Sequence, residues 1–241
     1  MAERWDGTGR KPRQNDESCP DCNGTGFIVV RDKDGRNFAR KCKSCGCEGS
    51  RRDVLYRYSG LPRRPRAGIV ANRGAIDYAD AFPRLKRGRN WMMFIGKPGT
   101  GKTTQAVWLV ATVIERYQSS ARFYNAFDLT RRFVALRKRN DEFEREFERY
   151  LDAELVVIDD FLKTIPSAKS YNYADYKETL LELIWARYDA RKPIVFTSQR
   201  NFRDIAKFDS ALAGRIAEAC EGRVVSFDAN ATDWRVQSES A

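Results

Sequence analysis

A glycine-rich stretch, GKPGTGKTT, occupies residues 96–104 and has the residue types that bind a phosphate chain. It meets the spacing G-x-x-x-x-G-K-[ST] with Gly96, Gly101, Lys102 and Thr103. Glycines let backbone N–H groups curl around phosphate oxygens, a lysine supplies positive charge to the outer phosphates, and a threonine hydroxyl can bind Mg²⁺. The apolar run WMMFI precedes the stretch and the helix-like run QAVWLVATVIERY follows it. The sequence therefore predicts a loop that binds a nucleoside triphosphate and Mg²⁺ through Gly96, Lys97, Pro98, Gly99, Thr100, Gly101, Lys102, Thr103 and Thr104.

Two acidic residues end a second apolar run, LVVIDD, at residues 155–160. Phosphoryl transfer depends mainly on positioning and charge neutralisation, so carboxylates at the end of a strand suit this chemistry. We expect Asp159, with Thr103, to hold the Mg²⁺, the carboxylate acting through water, and Asp160 to orient or deprotonate the attacking water. Because the chain contains no histidine, any catalytic base must be a carboxylate and any zinc site must be built from cysteine.

Five of the six cysteines lie within residues 19–47, in the segments CPDCNGTG and KCKSCGC. Cys19, Cys22, Cys42 and Cys45 give the spacing C-x2-C-x19-C-x2-C, and Cys47 is an alternative to Cys45 as the last ligand. This spacing is typical of a structural Zn²⁺ site, and so short a segment buries too little surface to stay folded without one. Disulfides are the alternative, although a reducing compartment disfavours them. We predict a small zinc-binding module.

Apolar runs and helical periodicity alternate after residue 90. Strand-length runs occur at residues 91–95, 122–126, 154–159, 193–198 and 223–227, and several lack alternation, as expected for parallel strands covered on both faces. Apolar residues recur at helical spacing after the glycine loop and again before the fourth run. Alternating strands and helices predict an α/β fold with a doubly wound parallel sheet.

Composition divides the chain into three parts: residues 1–50, a basic arm and the zinc-binding module; residues 51–90, an Arg-rich linker and the start of the nucleotide-binding region; and residues 91–241, the nucleotide-binding domain. The net charge of +11 is uneven, with 21 basic and 11 acidic residues in 1–90 against 23 and 22 in 91–241. A nucleic-acid partner explains this asymmetry, and a solvated basic linker is the alternative. No apolar run approaches the length of a bilayer span, so we expect a cytoplasmic protein without membrane contact.

Several motifs resemble the AAA+ ATPases of the DnaC/DnaI helicase-loader group, which includes the transposition helper IstB. They are LVVIDDF, LIWARYDARKPIVFTSQRN, SALAGRI and DWR, and the resemblance covers roughly residues 55–235. It implies a P-loop AAA+ fold that binds ATP. It also implies that Arg215, in AGRI, is the arginine finger that reaches the γ-phosphate of a neighbouring subunit, and that Arg235, in DWR, is the second sensor. Without the resemblance to this family, we would interpret Arg215 as a solvated residue on an amphipathic helix.

The chain departs from the family pattern in two places. The group usually has Asn after the Thr-Ser that ends the fourth strand, whereas this chain has Gln199, so the first-sensor role falls to Ser198 or Gln199. Only 14 residues follow Phe227, which leads us to expect a reduced or absent helical lid.

The resemblance predicts an ATP-dependent loader of a hexameric replicative DNA helicase onto single-stranded DNA, with nucleotide as an assembly switch. Subunits are expected to form an open ring or spiral, while the zinc module grips the helicase or, as a competing interpretation, binds DNA. The alternative is an IstB-type transposition regulator that binds duplex DNA. A third hypothesis is a binding adaptor whose nucleotide site is hydrolytically idle.

Overall fold

The computed structural model describes residues 21, 27–31, 37–42, 51–62, 69–85, 89–167 and 172–227. The chain forms two compact units, Met1–Tyr58 and Ser59–Ala241. Cys42 is buried, and the other predicted zinc ligands lie outside the described residues, as does Arg235. The zinc site and the predicted domain boundaries therefore stay predictions. In the described part of the chain, no helix is long and apolar enough to cross a membrane.

The first unit contains an antiparallel pair of strands. Strand β1, Phe27–Arg31, pairs with β2, Asn37–Lys41, in a register that places Val29 opposite Ala39. Cys42 follows β2 directly. Helix α1, Arg51–Tyr58, ends this unit.

The second unit is built on a five-stranded parallel sheet. Its strands are β3, Met92–Ile95; β4, Ala121–Asn125; β5, Leu155–Phe161; β6, Ile194–Ser198; and β7, Val224–Ser226. Their order in the sheet is β4-β5-β6-β3-β7, and every neighbouring pair is parallel. The strand before the glycine loop, β3, therefore lies beside β6, while β5, with its two aspartates, lies one strand further away.

Helices connect the strands of the second unit. They are α2, Arg73–Ala81, followed by a 3₁₀ turn at Phe82–Arg84; α3, Lys102–Tyr117; α4, Ala126–Leu136; α5, Asn140–Asp152; α6, Tyr173–Asp189; α7, Phe202–Phe208; and α8, Ser210–Cys220. Side-chain oxygens cap four of them at the first turn, from Asn72, Asn125, Asn201 and Asp209. Such caps satisfy N–H groups that the helix leaves without partners.

Both faces of the sheet are covered. Residues Met93, Val156, Ile158 and Phe196 pack into one core with residues of α4 to α8. Residues at the alternate positions, Met92, Phe94, Val157 and Val195, are equally buried and point to the opposite face, because successive strand side chains alternate. Helix α3 contacts β4, β5 and β6, and α2 packs on α3. This arrangement confirms the predicted α/β fold with a parallel sheet.

A fully buried arginine links the ends of three elements. Arg187, on α6, donates to the carbonyls of Tyr150, Leu151, Ala153 and Pro193 at 2.8–3.3 Å. Burial lowers the pKa of Arg187 to about 10, so the guanidinium stays charged at neutral pH. These hydrogen bonds offset the cost of burying the charge, although Nε has no partner within the described residues, and they fix the end of α5 against the starts of β5 and β6.

Candidate nucleotide site

The predicted phosphate-binding loop connects β3 to α3, as the sequence pattern required. Gly99 and Gly101 have φ values of 77° and 92°, a region that favours glycine. Gly101 precedes the first turn of α3, and no side chain of the described residues caps this helix. The first N–H groups of α3 and the positive end of its dipole are therefore directed at the loop, where a phosphate chain would bind.

Gly96 lies where the loop passes the end of β7. A Cβ atom at this position would lie 2.9 Å from the Cβ of Phe227 and 3.0 Å from its carbonyl oxygen. The N–H of Phe227 donates to the carbonyl of Ile95 at 2.7 Å, which holds the two segments together. The first glycine of the motif is thus required by close packing as well as by the phosphate-binding pattern.

Lys102 is buried within the loop. Its Nζ donates to the carbonyl of Lys97 at 2.6 Å and to the hydroxyl of Thr100 at 3.4 Å. The Thr100 hydroxyl in turn donates to the same Lys97 carbonyl at 2.9 Å. The ammonium group is therefore positioned at the centre of the loop, where it can neutralise the charge of the outer phosphates.

Asp159 joins three elements beneath the loop. Its Oδ1 accepts from the hydroxyl of Thr103, on α3, at 2.9 Å and from that of Thr197, on β6, at 2.5 Å. Burial raises the pKa of Asp159, and the two hydroxyl hydrogen bonds oppose that shift. Hydroxyl and carboxylate oxygens are the hard ligands that Mg²⁺ prefers, so the residues predicted to hold Mg²⁺ do lie together and suit it.

Asp160 lies beside this pair in an unusual backbone conformation. Its φ is 55° and that of Leu162 is 57°, values that non-glycine residues adopt at a cost and often at functional sites. Strand β5 does not end at residue 159 as predicted; it continues to Phe161 through an irregularity after Ile158. The Asp160 N–H donates to Thr197 Oγ1 at 3.0 Å, and Asp160 Oδ2 forms a 2.9 Å ion pair with Lys163.

Thr197 was not among the residues that the sequence predicted for the site, although it contacts both aspartates. Its signal was a hydroxyl in the otherwise apolar run IVFTS. The predicted sensor candidates follow it. Ser198 is buried, donating to the carbonyl of Phe161 at 2.8 Å and accepting from the N–H of Arg200 at 2.9 Å, while Gln199 is half-buried. The hydroxyl of Thr197 is thus the polar group of β6 that bonds directly to Asp159.

Gln105 fixes a second segment beside the start of α3. Its Oε1 accepts from the N–H of Asn72 at 2.7 Å, and its Nε2 donates to the carbonyl of Val70 at 3.0 Å. The amide is buried, whereas Val70 is 87% exposed. No sequence pattern indicates this contact, because the partners lie more than 30 residues apart.

Arg215 lies apart from the loop, on α8. Its guanidinium carbon is 4.2 Å from the ring centroid of Trp185 and 5.5 Å from that of Tyr188, both on α6. Within the described residues, no hydrogen bond or ion pair joins Arg215 to the phosphate-binding loop or to the aspartates. The structure therefore brings together Lys102, Thr103, Asp159 and Asp160, but not Arg215.

Replacing Asp159 with Asn is expected to stabilise the nucleotide-free protein. Because the pKa of Asp159 is raised on folding, ionisation destabilises the folded state once the pH exceeds the usual pKa of 3.8. Asp159→Asn should raise the Tm at pH 7, measured by thermal unfolding without Mg²⁺ or nucleotide. In a chain of this size, each gain of about 1 kcal/mol in the free energy of unfolding would raise the Tm by about 2–4 °C. The difference in Tm between Asp159→Asn and wild type should decrease as the pH falls toward 4. A difference in Tm that does not depend on pH would contradict this account.

Comparison with known families identifies the chain. The family model described as IstB-like ATP binding protein matches residues 83–238. Phage-like element PBSX protein XkdC of Bacillus subtilis (strain 168) is 26% identical over 235 residues, covering 89% of this chain and 85% of that protein. The uncharacterized protein YqaM of the same organism is 25% identical over 155 residues, covering 63% of this chain and 47% of YqaM. The chain thus spans about half the length of YqaM.

Solved structures share the fold of the second unit. Domain III of the Thermotoga maritima replication initiation protein DnaA superposes with a TM-score of 0.55 at 18% identity, covering 70% of this chain and 68% of that one. DnaI superposes with a TM-score of 0.50 at 16% identity, and the match covers 73% of this chain and 94% of DnaI. The family model matches more than half of the chain, and the chain therefore belongs to the IstB-like ATP binding protein family.

Proposed function

We propose that this protein is an ATP-dependent loader of a hexameric replicative DNA helicase onto single-stranded DNA. The observation that carries the nucleotide part is the Thr103–Asp159 hydrogen bond at the base of a loop that holds Lys102. The resemblance of residues 55–235 to the helicase-loader group supports the replication part. The same fold occurs in DnaA, which has been solved bound to AMPPCP and single-stranded DNA, with a TM-score of 0.52.

In the proposed hydrolysis step, each residue near the loop has one task. The N-terminus of α3 and Lys102 bind the phosphates, and Thr103 with Asp159 would hold Mg²⁺, which supplies further charge neutralisation when bound. Asp160 orients or deprotonates the attacking water. Thr197 positions the Asp159 carboxylate and the backbone of Asp160, because its hydroxyl donates to Asp159 Oδ1 and accepts from the Asp160 N–H.

The proposed switch connects this site to assembly. ATP-bound copies associate side by side into an open ring or spiral, and Arg215 of one copy contacts the nucleotide of the next. Hydrolysis then resets the assembly. The N-terminal cysteine module, with Zn²⁺ on Cys19, Cys22, Cys42 and either Cys45 or Cys47, would hold the helicase. Gln199 and Arg235 would read the state of the nucleotide.

Mixing the protein with purified ring-shaped replicative helicases tests the proposal. Light scattering after size separation should show a joint complex with ATP and a much smaller amount without nucleotide. Adding single-stranded DNA should retain the complex, and DNA affinity should fall steeply as salt rises, because phosphate contacts release counterions. A protein that stays a single copy with ATP, DNA and helicase present would refute the proposal.

The alternative, a transposition regulator that binds duplex DNA, is favoured by the family model itself, which is named for IstB. Affinities for single-stranded and duplex DNA of equal length, compared with ATP at one salt concentration, separate the two functions. Tighter binding to the single strand supports loading. Tighter binding to the duplex, without a helicase complex, supports the regulator.

A further inference from the structure

Two aromatic rings of α6 form a platform for the guanidinium group of Arg215. Trp185 and Tyr188 are three residues apart and so lie on the same face of the helix. The guanidinium carbon of Arg215 is 4.2 Å from the centroid of Trp185, within the range of a cation–π contact, and 5.5 Å from that of Tyr188. The side chain of Arg215 is exposed, yet these contacts give it a defined position on α8.

The platform leaves the hydrogen-bond donors of Arg215 unused. A guanidinium stacks through its flat face and carries its five N–H groups in its plane, at the edge. Across the part of the chain that the structure describes, Arg215 makes no ion pair and no hydrogen bond. In contrast, Arg137, which also contacts α6, pairs with Glu182 at 2.8 Å. Among the described residues, Arg215 is thus a positioned cation whose donors have no partner.

Tyr188 also engages the carboxylate best placed to neutralise Arg215. Glu218 lies three residues beyond Arg215 on α8, a spacing at which opposite charges commonly pair. Instead, Glu218 Oε2 accepts from the Tyr188 hydroxyl at 2.9 Å. This hydrogen bond to Glu218 raises the pKa of Tyr188, so the hydroxyl stays protonated and continues to donate.

The charges around the platform favour a compact anion over a long one. The groove beside Trp185 has a volume of about 490 Å³ and carries three carboxylates, those of Glu178, Asp189 and Glu182, the last of which pairs with Arg137. A DNA strand lying along this groove would bring its phosphates against these carboxylates. A single phosphate group at the edge of Arg215 would not approach these carboxylates. Guanidinium groups bind phosphate through two parallel hydrogen bonds.

We infer that Trp185, assisted by Tyr188, is a positioning residue that holds Arg215 with its donor edge outward, ready for the outermost phosphate of a nucleotide bound by a second copy of this chain. This inference rests on the proposed assembly, in which Arg215 acts between copies. Trp185 itself touches no nucleotide. Its effect passes through Arg215, so its loss should slow hydrolysis without weakening ATP binding.

A mixing experiment isolates this effect from the fold of the active site. Wild-type protein is mixed with an excess of Asp160→Asn, whose own sites are inactive but whose Arg215 is intact, or with an excess of Asp160→Asn/Trp185→Leu. All hydrolysis then comes from wild-type sites, most of which have a variant neighbour. We expect turnover about tenfold lower with the double variant, an unchanged Kd for ATP, and recovery of most activity when Trp185→Phe replaces Trp185→Leu.

Two further variants make the result specific. Leu181→Ala removes apolar surface from the same groove without removing either ring under Arg215, and it should behave like wild type. The variant Asp160→Asn/Arg215→Ala, used in place of Asp160→Asn/Trp185→Leu, should lower turnover by at least as much. Thermal unfolding of each variant identifies any that are misfolded, and a misfolded Trp185→Leu is replaced by Trp185→Met, which also lacks an aromatic ring.

The outcomes separate this inference from the function on which it rests. If neither Arg215→Ala nor Trp185→Leu changes turnover in the mixtures, and turnover is independent of protein concentration, the proposed assembly itself fails. If Arg215→Ala lowers turnover and Trp185→Leu does not, the assembly survives and the positioning role is wrong. If both variants weaken binding to single-stranded DNA while turnover is unchanged, Arg215 contacts a DNA phosphate and the inference is overturned.

Discussion

We expect Lys102→Ala to abolish nucleotide-dependent assembly and to weaken ATP binding by about 10- to 100-fold. The ammonium group lies within the loop, with Nζ 2.6 Å from the carbonyl of Lys97, so it is already placed for the outer phosphates. A hydrogen bond between charged groups contributes about 1.5–3 kcal/mol, and every 1.4 kcal/mol changes affinity about tenfold. If nucleotide occupancy drives association, this loss removes the ATP-bound assembly at millimolar ATP or below.

Two measurements check this expectation. Titration with a fluorescent ATP analogue gives the affinity, and light scattering after size separation gives the mass with and without ATP. Lys138→Ala is the matched control, because it removes an exposed lysine outside the loop. Thermal unfolding should give similar Tm values for both variants. Wild-type assembly by Lys102→Ala in the presence of ATP would show that occupancy of this loop does not govern association.

The parts of the site that could be predicted are those encoded by neighbouring residues. The phosphate-binding loop needs glycines and a lysine at fixed spacing, and the Asp159–Asp160 pair follows an apolar run. Both patterns can be recognised in the sequence without knowledge of the rest of the fold. The contact between Thr103 and Asp159 could also be expected, since the carboxyl ends of parallel strands meet at one edge of the sheet.

The parts that could not be predicted depend on which elements become neighbours. Thr197 reaches Asp159 only because β6 lies between β3 and β5, an order that strand-length runs do not reveal. The contacts of Gln105 with the segment at Val70 and Asn72 span more than 30 residues. The platform beneath Arg215 requires that α8 pack against α6. In each case the residue looks like an ordinary strand or helix residue in the sequence, and only tertiary packing brings it to the contact described.

Asp160→Asn is expected to lower ATP turnover by a factor of about 10² to 10⁴, the usual contribution of a positioned acid or base. Asparagine has nearly the same shape as aspartate but cannot take a proton from water and carries no negative charge. We do not expect Asp159 to replace it, because Asp159 is assigned to Mg²⁺ and the hydroxyls of Thr103 and Thr197 hold its Oδ1. ATP affinity should change little, since Lys102 and the N-terminus of α3 remain in place.

The ion pair between Asp160 and Lys163 can be tested by replacing Lys163 alone and together with Asp160. Lys163 contacts Asp160 Oδ2 at 2.9 Å and competes with water for the carboxylate. Both side chains are partly exposed, so the pair contributes little to stability, and it can open when a substrate water enters. Lys163→Met should therefore retain turnover at or above that of wild type, whereas Lys163→Met combined with Asp160→Asn should match Asp160→Asn alone.

The comparison of Asp160→Asn with Asp159→Asn assigns the two carboxylates to different tasks. Loss of Asp159 should weaken the dependence of nucleotide binding on Mg²⁺ concentration, because its oxygen lies beside Thr103 in the predicted metal site. Loss of Asp160 should leave that dependence intact and remove only turnover, while ATP-dependent assembly persists or becomes longer-lived. Asp141→Asn, at an exposed carboxylate in the first turn of α5, is the control for removing one negative charge. If wild type and Asp160→Asn both hydrolyse ATP only at the background rate, the protein is a nucleotide-binding adaptor. If they share a rate above background, a group other than Asp160 activates the water.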